Sequence, residues 1–251
     1  MGGAIARGIA ASQPEVKLSV SSPNRHGELD RLAAYPNISV TTSNTECIAE
    51  ADFIVVAVKP WLLATVIDEI APVADFSSQT LVSIVAGVSC SDILVMLPGG
   101  IAPAGVVRVI PNTAIAVMES VNFVTFKDTP QERQDALLKV LEPLGMSMPV
   151  EERLMGAGTA LASCGIAYAF RYIRAAAEGG VELGFYPDQA KKIVMQTLLG
   201  AVKLLEASGA NPETEIDKVT TPGGITIKGL NAMERNGFTT AVIEGLKNSC
   251  K

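Results

Sequence analysis

FIVVAVKP at residues 53–60, TLVSIVAG at 80–87 and GVVRVIPN at 105–112 carry the reading of the fold. Each is a strand-length run dominated by Val and Ile, and its apolar residues are continuous instead of alternating. Continuous runs belong to strands covered on both faces, as in parallel sheets flanked by helices. Working outward, VKLSVSS at 16–22 and ISVTT at 38–42 read as two earlier strands, with helix-sized segments between the five. NFVTFKD at 122–128 and SMPVEE at 147–152 bracket a helical pattern over 130–144 and are expected to close the sheet. The pattern predicts an α/β domain over residues 1–152.

After residue 152 no strand candidate appears, and the apolar spacing lengthens to three and four. Over 187–208, Ala190, Ile193, Val194, Leu198, Ala201, Val202 and Leu205 trace one helical stripe, and Pro187 suits its first turn. A second helix is expected over 167–183, with Gly179, Gly180, Gly184 and the pair Asn236-Gly237 as stops or turns. Residues 153–251 are therefore expected to form an all-helical domain whose apolar surface is buried by a partner subunit.

A chain of 251 residues, 48% hydrophobic and 18% charged, is too long and too apolar to be disordered or to need disulfide or metal staples. Its net charge of −6, with no Lys/Arg cluster, gives nucleic acid no electrostatic foothold. The longest apolar runs fall far short of the roughly 20 residues of a membrane span. Arg7 interrupts the apolar start, which argues against a secretion signal, so the cytoplasm is the expected location. Cys47, Cys90, Cys164 and Cys250 lack paired spacing, and His26 is the sole histidine, so free thiols and no metal are expected.

Doubly wound sheets bind ligands beyond the carboxyl ends of their strands, where a Gly-rich turn delivers a pyrophosphate to a helix N-terminus. MGGAIARGI at 1–9 reads as the helix that follows such a turn, with Gly2 in the place of the third glycine. The strand and two glycines that precede it in that motif are not in the sequence. The sheet is thus expected to lack its first strand and to carry unpaired edges, and the chain, starting about ten residues late, to bind nucleotide poorly. Ser21-Ser22-Pro23-Asn24-Arg25 stands where an NAD site carries an acidic residue, and its hydroxyls and Arg suit a 2′-phosphate. Lys59-Pro60 turns the chain after one strand, and Ala86-Gly87 ends another with residues small enough for a flat ring to approach backbone. Asn112 and Thr113 offer an amide and a hydroxyl after the next.

Taken in order, VAVKP, SIVAGVS, VRVIPNT, the segment ending in Gly165-Ile166-Ala167-Tyr168, and TTPGGITI at 220–227 resemble the pyrroline-5-carboxylate reductase family over essentially the whole chain. The resemblance implies a Rossmann-like doubly wound domain, here without its first strand, followed by a helical dimerisation domain, in a homodimer or a higher oligomer of dimers. It implies reduction of 1-pyrroline-5-carboxylate, a cyclic imine, to L-proline in the last step of proline biosynthesis, with NADPH as cofactor and NADH acceptable. By the same resemblance Gly2, Ser21, Ser22 and Arg25 belong to the phosphate and adenosine end of the cofactor. Ala57, Lys59 and Pro60 line its length, and Ala86, Gly87, Asn112 and Thr113 surround the nicotinamide. Glu152, Cys164, Gly165 and Ala167 fall on the substrate side, joined by Thr221, Gly223, Gly224 and Thr226. That last loop suits a carboxylate, because glycines expose N–H groups, hydroxyls flank them and a helix follows. Thr226 is the candidate catalytic residue, hydrogen-bonding the ring nitrogen and guiding its proton.

One departure stands out: Ala162-Ser163-Cys164-Gly165-Ile166-Ala167 replaces the family's Ser-Gly-Ser-Gly-Pro-Ala, so a thiol takes a hydroxyl's place and Ile a proline's. Two rival readings are a non-catalytic dimeric scaffold and a 3-hydroxyacid-dehydrogenase-like enzyme. Hydride addition to a carbonyl creates an alkoxide that needs a positioned acid, whereas a protonated imine becomes an amine with less help. His26 is expected at the cofactor rim and Lys191, Lys192 and Lys203 on a solvated helix face, which disfavours the dehydrogenase.

Overall fold

Every apolar run becomes a strand. They are β1 (Leu18–Ser21), β2 (Ile38–Thr41), β3 (Phe53–Val56), β4 (Thr80–Ser83), β5 (Val106–Ile110), β6 (Ser120–Lys127) and β7 (Gly145–Pro149). The computed structural model describes residues 1–23, 27–100 and 103–250, so Arg25 and His26 lie outside the described residues. β1 and β2 pair in parallel as one sheet, and β3-β4-β5-β6-β7 form a second. No ladder joins β1 to β3 among the described residues, the place where the sequence predicts an unpaired edge. β3, β4 and β5 run parallel, β6 antiparallel to β5, and β7 parallel to β6. The reversal at β6 follows from chain length, since the connection 111–119 is too short for a parallel crossover of a dozen or more residues.

β4 and β5 are buried at every position, as continuous apolar runs require. β3 differs: it ends its sheet, and Val55 is exposed. Helix α1 (Gly2–Ser12) ties the two sheets together through two stripes. Ile5 and Ile9 pack on Val82, Val107, Val109 and Val124 of the large sheet, while Ala6 and Ala10 pack with Ile38 of the small one. Helix α2 (Gly27–Leu32) adds Leu29 and Leu32 to the latter cluster, and α3 (Asn44–Ile48) follows β2. On the opposite face α4 (Leu63–Ile70) and α5 (Cys90–Met96) bury Leu63, Ile67 and Ile93 against Ile54, Leu81 and Val106. Helix α6 (Gln131–Leu141) falls inside its expected span.

The chain divides into two compact units, Met1–Ser163 and Cys164–Lys251, eleven residues later than the boundary read from sequence at 152. Apolar packing explains the difference. Helix α7 (Met155–Gly158) stays with the sheet, where Met155 packs on Ile110 and Phe123, and a Cβ on Gly158 would lie 2.8 Å from the Phe123 ring. A wide π-type turn, Thr159–Cys164, follows α7.

The second unit comprises α8 (Gly165–Glu182), α9 (Pro187–Ser208), α10 (Pro212–Lys218), α11 (Ile225–Arg235) and α12 (Phe238–Ser249). No strand follows Pro149 among the described residues. α9 has the bounds expected from sequence, with Pro187 in its first turn and Gly209 closing it in the left-handed region at φ 60. Gly179 and Gly180 do not stop a helix, a correction to the sequence reading: both lie inside α8. A Cβ on Gly180 would approach that of Ala190 to 3.0 Å, so the glycine serves the close packing of α8 on α9. The stops are Gly184 and Gly237, both at positive φ. Among the described residues no single helix is long and apolar enough to cross a membrane.

Candidate functional site

Because β3, β4 and β5 are parallel, the segments that follow them, 57–60, 86–89 and 111–113, share one edge of the first unit. Ala57, Lys59, Pro60, Ala86, Gly87 and Thr113 are all exposed there. A Cβ built on Gly2 would sit 2.8 Å from that of Ala57, so only glycine lets the start of α1 approach the end of β3 so closely. That is the role of the third glycine in a dinucleotide-binding turn. No side chain caps α1, and its first-turn N–H groups can serve an anion. Nothing lies within 4 Å of a Cβ on Gly87, whose φ of +77 requires glycine, so a flat ring has room at that turn. On these observations the residues present fit a dinucleotide.

At the end of β1, Ser21 Oγ donates to Asn44 Oδ1 at 2.7 Å, and Asn44 Nδ2 donates to Glu69 at 2.7 Å. Sequence reasoning missed Asn44, although a signal was present in Ser43-Asn44-Thr45-Glu46, a helix-start pattern in which Ser43 Oγ accepts from the Glu46 N–H. Ser22 stays half-buried beside β2. Asn112 is buried and turned inward: its Oδ1 accepts from the Ala114 N–H at 2.9 Å and its Nδ2 donates to the Ala162 carbonyl at 3.4 Å. Ser163 Oγ donates to the Pro111 carbonyl at 3.3 Å, so the π-type turn is stitched to the end of β5. Such turns recur at functional sites.

Glu152 opens the segment leading to that turn. Its Oε1 accepts from the Cys90 N–H at 2.7 Å and from Arg108 Nη1 at 2.8 Å. Burial pushes the Glu152 carboxyl up, but the Cys90 N–H and Arg108 outweigh it and hold the group below its ordinary range. The Cys90 thiol, wholly buried, is pushed up to about 12, first by burial and then by the Glu152 charge. Arg108 is the second residue that sequence reasoning missed, and its signal is a lone cation inside the apolar run GVVRVIPN.

In the helical unit, Thr221 to Gly224 form a tight turn closed by the Gly224 N–H on the Thr221 carbonyl at 2.9 Å. Gly223 sits at φ 72, which favours glycine, and a Cβ on Gly224 would meet Thr221 Oγ1 at 2.6 Å, so a side chain there would displace that hydroxyl. α11 begins immediately afterwards with no side-chain cap, leaving its first-turn N–H groups for an anion. Thr226 is exposed in that first turn. Cys164, a half-buried free thiol, ends the π-type turn; Gly165 is half-buried and Ala167 exposed at the start of α8. Lys191 pairs with Asp188, and Lys192 and Lys203 are exposed, as a solvated face requires.

Residues 152–251 match the family model described as pyrroline-5-carboxylate reductase dimerisation, and residues 1–87 match one described as NADP oxidoreductase coenzyme F420-dependent. Pyrroline-5-carboxylate reductase 1 of Dictyostelium discoideum is 36% identical over 99% of this chain, which spans 47% of that protein. Pyrroline-5-carboxylate reductase 2 of the same organism is 33% identical over 100% of this chain and 88% of its own length. The crystal structure of Plasmodium falciparum pyrroline carboxylate reductase with NADP bound superposes with a TM-score of 0.86 at 28% identity, covering 100% of this chain and 92% of that one. With its fold, its loops and these relatives in agreement, the chain belongs to the pyrroline-5-carboxylate reductase family.

Proposed function

We propose that this chain is an oxidoreductase that reduces 1-pyrroline-5-carboxylate to L-proline, the last step of proline biosynthesis, with NADPH as reductant. The observation that carries the reading is the Thr221 to Thr226 loop, where two consecutive glycines, the first at positive φ, lead into an uncapped helix start. Bound NADPH supplies the hydride. The first turn of α1 at Gly2 holds its pyrophosphate, Ser21, Ser22 and Arg25 take the 2′-phosphate end, and Ala57, Lys59 and Pro60 line its length. Ala86, Gly87 and Thr113 border the nicotinamide, and Asn112 fixes the backbone beneath it through Ala114.

The substrate carboxylate lies on the N–H groups after Gly223 and Gly224, flanked by Thr221. Cys164, Gly165 and Ala167 are further substrate-side residues, as is Glu152, whose Oε1 is engaged by Cys90 and Arg108. Thr226 Oγ1 hydrogen-bonds the ring nitrogen and guides its proton. Since the protonated imine ends as an amine, positioning carries most of the catalysis. The enzyme works in the cytoplasm as a homodimer or a higher oligomer of dimers; the dimerisation model over 152–251 and exposed apolar residues such as Phe170 and Leu204 support the assembly.

The test is proline formation from pyrroline-5-carboxylate and NADPH by the purified chain; no proline at saturating concentrations of both overturns the reading. Thr226→Val is expected to lower turnover on the order of a hundredfold, with the dissociation constant for NADPH unchanged. Undiminished turnover removes Thr226 from the mechanism.

A further inference from the structure

Arg108 is the one charged residue of β5, a strand buried at all five positions. Strand alternation puts it on the same sheet face as Val106 and Ile110. Val106 packs in the cluster beneath α4 and α5, and Ile110 packs on Met155, so the guanidinium lies between two apolar clusters. It is 7% exposed, and its Nε is buried with no hydrogen-bond partner. A cation so placed has given up its water and depends on whatever carboxylate reaches it.

Among the described residues that carboxylate is Glu152. The contact is not local, for Glu152 lies 44 residues from Arg108 and 62 from Cys90. One oxygen serves both donors, and the second donor is the first amide of α5, directly after the 86–89 turn. Ser89 and Asp92 cap that helix on its own strand of chain: the Asp92 N–H donates to Ser89 Oγ, and the Ser89 N–H to Asp92 Oδ2. The turn is thereby held from two sides, once locally and once through Glu152. A core that needed only filling at position 108 would be served at least as well by an apolar residue.

We propose that Arg108 is a positioning residue for the reaction: it fixes Glu152, and the Glu152 carboxylate in turn pins the Cys90 amide and the 86–89 turn. The inference rests on the proposed reading, in which nicotinamide lies on that turn. Arg108 touches neither cofactor nor substrate in this account. Without its guanidinium, Glu152, already one-third exposed, turns to water, and the turn loses its outer anchor. The remaining cofactor contacts are untouched, so the reactive ring is misplaced while affinity is kept.

The experiment compares Arg108→Met, Arg108→Lys, Glu152→Gln and the double variant Arg108→Met with Glu152→Gln, first by amide hydrogen exchange of the free protein and then by steady-state kinetics. In Arg108→Met, exchange at the Cys90 amide rises about tenfold while amides of β4 and β6 keep their protection. Turnover falls on the order of tenfold or more with NADPH affinity unchanged, and the KM for the imine rises by less than turnover falls, because Glu152 is also a substrate-side residue. Arg108→Lys recovers part of both losses, and the double variant is no worse than Arg108→Met alone. Unaltered exchange at Cys90 overturns the proposal, as does a rise spread evenly over the sheet, which would mark Arg108 as a stability residue only. A loss confined to the imine KM overturns it too, because Glu152 would then act on substrate independently of the turn. If the unvaried chain forms no proline, the proposed function fails by itself, and the exchange pattern still decides whether Arg108 holds the turn.

Discussion

Leu63, Ile67, Val107 and Val124 of the sheet unit are 0% exposed, whereas Phe170, Leu183, Leu204 and Ile225 of the helical unit are 66%, 84%, 65% and 87% exposed. Among the described residues from 164 onward, Ala190 is the single buried hydrophobic. Both halves are rich in apolar residues, so composition does not separate them; what separates them is whether one copy of the chain can cover them. The sheet places helices on both faces and closes its own core. The helices of the second unit present apolar side chains that nothing within it covers, and exposed apolar surface of that extent marks an interface.

The largest expected effect breaks that comparison outright. If a second copy covers these helices, Phe170→Asp combined with Leu204→Asp is expected to leave only single chains in sedimentation velocity where the parent sediments as an oligomer, because an unpaired carboxylate in a desolvated interface costs several kcal/mol. A variant that sediments as the parent does would show that these helices are covered by something other than a second copy. Leu63→Ala makes the opposite cut. It is expected to lower unfolding stability by about 2–5 kcal/mol through the cavity it leaves, with the oligomeric state unchanged. A loss below about 1 kcal/mol would mean that the sheet core relaxes around the site and is less closely packed than its burial implies.

The two units also differ in how legible they were. α9 was read with the bounds it has, because Pro187 suits a first turn and the apolar stripe keeps its helical spacing as far as Leu205. The seven strands were equally plain, since β4 and β5 must be covered on both faces to hold unbroken apolar runs. Gly179 and Gly180 misled because a glycine that stops a helix and one that lets another helix approach look alike in sequence; only Ala190 against Gly180 tells them apart. The compact units divide later than residue 152 because Met155 packs on Ile110 and Phe123, contacts that no local pattern announces. At the candidate site, the Thr221 to Thr226 loop was visible because glycine at φ 72 is a local demand. Glu152 and Asn112 were visible as residue types, but their partners, Arg108, Cys90 and Ala162, lie 44 to 62 residues away, and partnership across such distances has no local signature.

The smallest effect sharpens the picture of the closed core, and it concerns pH. Cys90 is completely buried, and its thiol is pushed from an ordinary 9.0 up to about 12. Below about pH 9 the folded and unfolded chains both keep this proton, so the group lends stability no pH dependence there. Between about 9 and 12 the unfolded chain releases the proton while the folded chain retains it, and folding loses up to about 1.4 kcal/mol for each pH unit of rise. Cys90→Ala removes the group that titrates. Its unfolding free energy, measured by denaturant titration beside that of the parent, is therefore expected to fall less steeply over this interval, so that the two curves converge as pH rises. Curves that stay parallel from pH 9 to pH 11 would mean that the thiol ionises inside the folded protein, and that water reaches the start of α5 more freely than a sealed core allows.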